Sequence, residues 1–252
     1  MGGFELAVLG VAALLTSILS AVVGMAGGIT LLAVMLLFLE PLVAIPLHGV
    51  IQLVSNGSRS WIQRSHVDRG IVWRYALPLL PMGFVGLALA EALPPAATRA
   101  LIGAFVLLAT WAPGVLLLGS HPERAERSRR FLLLGSVVGV INMTVGATGP
   151  LIAPFFLNLG LSRQALVGTK AACQTLGHLA KVLVFGIAGF AFLPFLPLLA
   201  LLAGLVVLGT WLGSRLLDRV SEQTFVRLYR GVLTLIALRL LLWEGLKLAG
   251  WR

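Results

Sequence analysis

Acid is scarce in this 252-residue chain: nine Asp and Glu face nineteen Lys and Arg, and charged residues of both signs make up only 11%. Soluble domains carry about 25%, so a large solvated surface is excluded. There is one cysteine, Cys173, which rules out an internal disulfide and any metal site built from several thiolates. The start, MGGFELAVLG, has no basic stretch ahead of its apolar run, so that run reads as retained structure rather than a cleaved leader. Ten-residue segments of alternating polarity, the mark of a membrane β-barrel, do not occur. Apolar residues dominate instead. They make up 59% of the chain, mean hydropathy is +1.01, and runs of about 20 apolar residues, long enough to cross a bilayer, recur. The expected fold is an all-α polytopic membrane protein. A net charge of +10 would suggest nucleic acid in a soluble protein. Here the basic residues sit between apolar runs, as the positive-inside rule expects, and no nucleic-acid partner is implied.

Hydropathy punctuated by Gly, Pro and charge gives segments 4–24, 27–39, 42–63, 71–91 and 98–118, then 131–146, 149–159, 163–188, 191–214 and 224–248. These amount to about 8–10 membrane helices. Segments 27–39 and 149–159 are too short to cross at about 1.5 Å per residue and read as broken or re-entrant. Each follows a glycine-rich break, GMAGG at 24–28 and GATGP at 146–150. Basic residues cluster at Arg59, Arg64, Arg69 and Arg74, at Arg124, Arg127, Arg129 and Arg130, and at Arg215, Arg219, Arg227 and Arg230. Those loops are expected in the cytoplasm, with 92–97 and 189–191 outside and both termini periplasmic. Trp61, Trp73, Trp243 and Trp251 read as interfacial anchors, and Arg239 as reaching outward toward Glu244.

Two polar stripes interrupt the apolar pattern. In KAACQTLGHLAK, Lys170, Gln174, His178 and Lys181 fall four, four and three residues apart, on one face of a helix. In HGVIQLVSNGSR, His48, Gln52, Asn56 and Arg59 repeat that spacing. A shift of 122 residues superposes the stripes and also matches Gly24 with Gly146 and Gly27 with Gly149. With the loop orientation above, the chain divides into a first repeat at 1–120, a basic linker HPERAERSRR at 121–130, and a second repeat of inverted topology at 131–252. Inverted repeats with broken helices and a midplane site are a secondary-transporter pattern.

The stretches GMAGGITLLAVMLLF, SHVDRGIVWRYALPLLPMGFVGLALAEAL and GATGPLIAPFFLNLGLSRQALVGTKAACQTLGH occur in that order. In them, and over nearly its whole length, the chain resembles the sulfite exporter TauE/SafE family, also called the toluene-sulfonate uptake permease group. The resemblance implies a bacterial or archaeal carrier in the cytoplasmic (inner) membrane, moving small sulfur anions such as sulfite, sulfoacetate and related organosulfonates. An anion channel, or a carrier of a non-sulfur organic anion, is the alternative function.

The stripes hold cations and amides but no carboxylate, which favours an anion as the bound partner. The expected binding residues are Gln52, Gln174, Lys170, His178, His48 and Asn56. Backbone N–H groups at Gly27, Gly28 and Gly149 would add the donors that helix N-termini supply. Asn142 and Thr148, with Thr144, flank the second break and either line the cavity or satisfy backbone freed there. The plainer reading of the stripes is that the amides and His tie helices together while Lys181 and Arg59 snorkel to opposite surfaces. The plainer reading of the glycines is close helix packing. His48 and His178 are the interior groups that titrate near neutral pH, so a coupling proton, if there is one, would pass through them or through the substrate. Two histidines without carboxylate or thiolate make a poor metal site. No nucleophile–base pair oriented by a buried acid is visible, so no enzyme and no cofactor is expected. Cys173 reads as a packing residue.

Overall fold

The computed structural model of the chain describes residues 2–23, 27–112, 114–115, 127–156, 159–216 and 222–248. Among them there is no strand. Helix α1 covers Gly3–Val23 and α2 Gly27–Met35. Helix α3, Pro41–Ile62, opens with proline in its first turn, where the missing N–H costs nothing. Asp68 caps α4, Arg69–Ala76, by accepting from the Ile71 N–H at 3.0 Å. Helices α5, Leu79–Ala92, and α6, Pro95–Trp111, complete the first half. In the second half α7 covers Arg127–Thr144, and α8 is a single turn, Gly149–Ile152, continued by a 3-10 turn, Ala153–Phe156. Ser162 caps α9, Arg163–Ile187, through the Ala165 N–H at 3.2 Å. Helices α10, Leu196–Leu216, and α11, Glu222–Leu248, follow.

The expected segments are recovered with three differences. Segment 71–91 is split: α4 and α5 meet at a 40° bend across Leu77–Pro78, where the proline has no N–H to continue the ladder. In segment 98–118 helix α6 ends at Trp111, because Ala112 precedes Pro113 and is pushed out of the helical region, and 113 and 116–118 lie outside the described residues. Of segment 149–159, 149–156 forms α8 and its 3-10 turn, and 157–158 lie outside the described residues. Of the expected linker, 121–126 lies outside the described residues, and 127–130 already forms the first turn of α7. Gly24 and Trp251 also lie outside them.

The helices bury one another in four main pairs: α1 with α10, α6 with α11, α3 with α9, and α5 with α7. Glycine allows the closest of these approaches. A Cβ on Gly86 of α5 would strike the Val140 carbonyl of α7, and one on Gly209 of α10 would lie 2.5 Å from the Leu14 carbonyl of α1. Polar ties are few. Trp111 Nε1 donates to Thr234 Oγ1 at 2.8 Å, joining α6 to α11. Arg99 pairs with Glu40 at 3.0 Å and with Glu244 at 3.7 Å, binding the starts of α3 and α6 to the end of α11. Glu244 thus meets Arg99, whereas Arg239, its expected partner, is exposed.

The outside of the bundle is apolar. Leu15, Phe84, Leu108, Leu183, Val207 and Leu235 are exposed on six different helices, while polar side chains such as His48, Asn56, His178 and Lys181 are buried. That inside-out distribution suits a lipid surround. By length and composition, Leu193–Gly213 is a helix able to cross a membrane, and the bent α4–α5 pair makes a second if taken as one broken span.

Candidate functional site

Helices α3 and α9 carry the two stripes, and they cross antiparallel. Gly49 approaches the Lys181 side chain, a Cβ there lying 2.9 Å from Cδ, whereas eight residues further along α3 Gly57 faces Thr175, six residues back on α9. The His48 and His178 rings meet edge to face with centroids 5.8 Å apart. His48 is four residues before Gln52, and His178 four after Gln174. The crossing therefore brings Gln52 and Gln174 into its middle.

A cavity opens there, with about 340 Å³ of space around it including the part that joins solvent. Helix α3 contributes His48, Gln52, Asn56 and Arg59, and α9 contributes Gln174 and His178. Ser20 comes from α1, Gly28 and Ile29 from α2, and Ala147, Thr148 and Gly149 from the second break. No Asp or Glu lines it among the described residues. Asn56 Nδ2 donates to the Gln52 carbonyl at 3.1 Å and to Gln52 Oε1 at 3.4 Å, which leaves the Gln52 amide N–H₂ for the cavity. Arg59 Nη2 donates to Ser20 Oγ and Ser55 Oγ, each at 3.0 Å, while its Nε has no partner among the described residues. His48 Nε2 donates to the Gly28 carbonyl at 2.8 Å. The assembled wall is rich in donors and carries a guanidinium.

Three of the expected site residues stand apart from this cavity. Lys170 is half-buried on α9, close enough to Arg59 for their charges to repel, but it does not line the space. Asn142 is buried and donates to the Gly177 carbonyl at 2.8 Å, tying α7 to α9. Gly27 packs against α1, where a Cβ would overlap the Thr16 carbonyl. For that glycine the packing explanation fits the geometry. Gly28 differs, since a Cβ there would stand 3.0 Å from Gln52 Oε1.

Arg59, Ser20, Ile29 and Ala147 line the cavity without having been singled out as ligands. Arg59 had a signal, its place as fourth member of the stripe, but its neighbours in the basic loop suggested a surface position. Ser20 had none, being a small residue in an apolar run. Lys181 does not snorkel. It is fully buried and its Nζ donates to the Gly146 carbonyl at 2.6 Å, at the break after α7. Gly146 has φ +82°, a left-handed conformation that glycine adopts without penalty and that turns the chain into α8.

The sequence pattern of one protein family, described as "Sulfite exporter TauE/SafE", matches residues 9–240. No curated protein and no solved structure matches the chain.

Proposed function

Because the chain belongs to the sulfite exporter TauE/SafE family, a family of membrane transporters rather than enzymes, we propose that it is a carrier of a small sulfur oxyanion, sulfite or an organosulfonate such as sulfoacetate, held between α3 and α9 and moved by alternating access across a cytoplasmic membrane. One observation carries the reading. The cavity takes donors from both stripes and a guanidinium from Arg59, and among the described residues no carboxylate lines it to balance them. In a low-dielectric interior such a wall favours a bound anion.

Alternating access needs two units that can rock against each other. A shift of 122 residues carries α1 onto α7, α3 onto α9, α5 onto α10, and most of α6 onto the first part of α11. Under that exchange the α1–α10 interface becomes the α7–α5 interface, and the α3–α9 and α6–α11 interfaces become themselves. Pairing that is unchanged by the exchange supports two inverted repeats of 1–120 and 131–252, joined through 121–130. The substrate would then sit on the axis relating them, at Gln52 and Gln174. We place the turn between α3 and α4, with Arg64, in the cytoplasm, and 189–191 and both termini outside.

The test is counterflow in proteoliposomes. Preloaded sulfite or sulfoacetate should accelerate uptake of the labelled anion with saturation. Gln52→Leu and Gln174→Leu should each cut that exchange on the order of tenfold, the loss of one hydrogen bond to a charged ligand. Steady anion current without saturable exchange would make the protein a channel. No exchange and no current with any sulfur anion would overturn the reading altogether.

A further inference from the structure

The cavity wall is not made of donors alone. His48 is 1% exposed and its Nε2 lies 2.8 Å from the Gly28 carbonyl. A carbonyl only accepts, so Nε2 carries the hydrogen of that bond. In the neutral imidazole the other nitrogen, Nδ1, is then a lone pair. Nδ1 is buried and has no hydrogen-bond partner among the described residues. The groups around it do not supply one. The Gly146 carbonyl, which also faces His48, is an acceptor held by Lys181 at 2.6 Å. His178, on α9, meets His48 ring to ring, and its own Nδ1 is likewise buried and unpartnered. Arg59, further along α3, gives Nη2 to Ser20 and Ser55. A buried acceptor left without a donor is costly, and a bound group that brings a donor to it relieves that cost.

We propose that the site takes a singly charged sulfur oxyanion carrying its own hydrogen-bond donor, such as hydrogensulfite, sulfamate or a hydroxy-sulfonate, and that His48 Nδ1 accepts from that donor. The proposal rests on the anion-carrier reading and narrows it. The oxyanion end faces the Gln52 and Gln174 amides and Arg59, and the protonated end faces the histidines. Dianions such as sulfate, and sulfonates with a purely apolar tail, leave Nδ1 empty and are discriminated against. A site built to pair a ligand's N–H or O–H rejects the analogue without it, because its own polar group is then stranded.

Sulfamate and methanesulfonate separate these outcomes. Both are monoanions of similar size and share the sulfonate head, but the first ends in N–H₂ and the second in CH₃. Binding to the detergent-purified full chain, by calorimetric titration at neutral pH, should favour sulfamate on the order of tenfold. His48→Gln puts an amide N–H₂ where Nε2 was and no acceptor where Nδ1 was, so the ratio of the two affinities, measured within the variant, should fall to about one. His48→Asn puts its carbonyl near the Nδ1 position and should retain the preference. Equal affinity for the two probes, or a preference for methanesulfonate, overturns the proposal and leaves the anion carrier standing. A preference that persists in His48→Gln, or is lost in His48→Asn, removes His48 as the acceptor. If neither probe binds the wild-type chain, the anion site falls and this inference with it.

Discussion

Lys181 brings an amino group to the centre of the bundle and commits it to one carbonyl, that of Gly146. The four-carbon stem fills space beside Gly49, and the nitrogen takes up a backbone oxygen that the end of α7 leaves free. Lys181→Met keeps the volume of the stem but removes the donor. It should cost about 1–3 kcal/mol, the penalty for a buried carbonyl without a partner. A melting midpoint in detergent several degrees lower is the expected result, and an unchanged midpoint would show that the bond contributes nothing. The stripe itself was legible, because steps of four, four and three fix a helical face whatever the helix packs against. Whether a stripe residue points into the cavity or into a neighbouring backbone was not legible. Lys181 and Lys170 look alike in sequence, and only the antiparallel crossing makes the first structural and puts the second at the margin. Gly27 and Gly28 diverge in the same way: adjacent in sequence, one abuts Thr16 and the other Gln52.

For whole elements, hydropathy was a good guide because a lipid surround demands apolar runs, and their ends coincide with helix ends to within a few residues in most cases. It failed where backbone chemistry decides. Pro78 was visible within 71–91, but whether a proline bends a helix or divides it depends on what receives the freed carbonyls. Here the result is two helices at 40°. Contacts between helices were not readable at all, since a glycine serving a close approach looks the same as one facing lipid. The structure tells them apart. Gly86 and Gly209 abut backbone of α7 and α1, whereas Gly204 has nothing within 4 Å. Gly86→Val and Gly209→Val should therefore each destabilise by about 1–3 kcal/mol through overpacking. Gly204→Val should fold and melt like the parent. If all three behave alike, the close approaches are not what holds α5 to α7 and α1 to α10.

At the scale of the molecule, the proposed arrangement of two inverted halves makes a prediction about sidedness. Ser65, beyond the end of α3, and Ala191, between α9 and α10, are both exposed, while the native Cys173 is fully buried. Ser65→Cys should react with an impermeant maleimide only after the membrane is opened, and Ala191→Cys in intact cells. Reaction of both from one side would overturn the topology. Arg64 stacks on Trp61 at 4.7 Å and Arg215 on Trp211 at 3.9 Å, which joins aromatic ring and guanidinium at the ends of α3 and α10.

Arg59 has one more consequence. An empty cavity lined by a guanidinium and no acid is a positive site, and a monoanion makes it neutral. If the halves rock around that site, the loaded carrier crosses without moving net charge, and the unloaded carrier moves one. A membrane potential acts on that empty return with about 2.3 kcal/mol per elementary charge per 100 mV for a full crossing. Voltage then governs the step at which nothing is carried: exchange of one anion for another should be indifferent to it, and net one-way transport should not. Net transport that ignores an imposed potential would mean that Arg59 does not travel with the site.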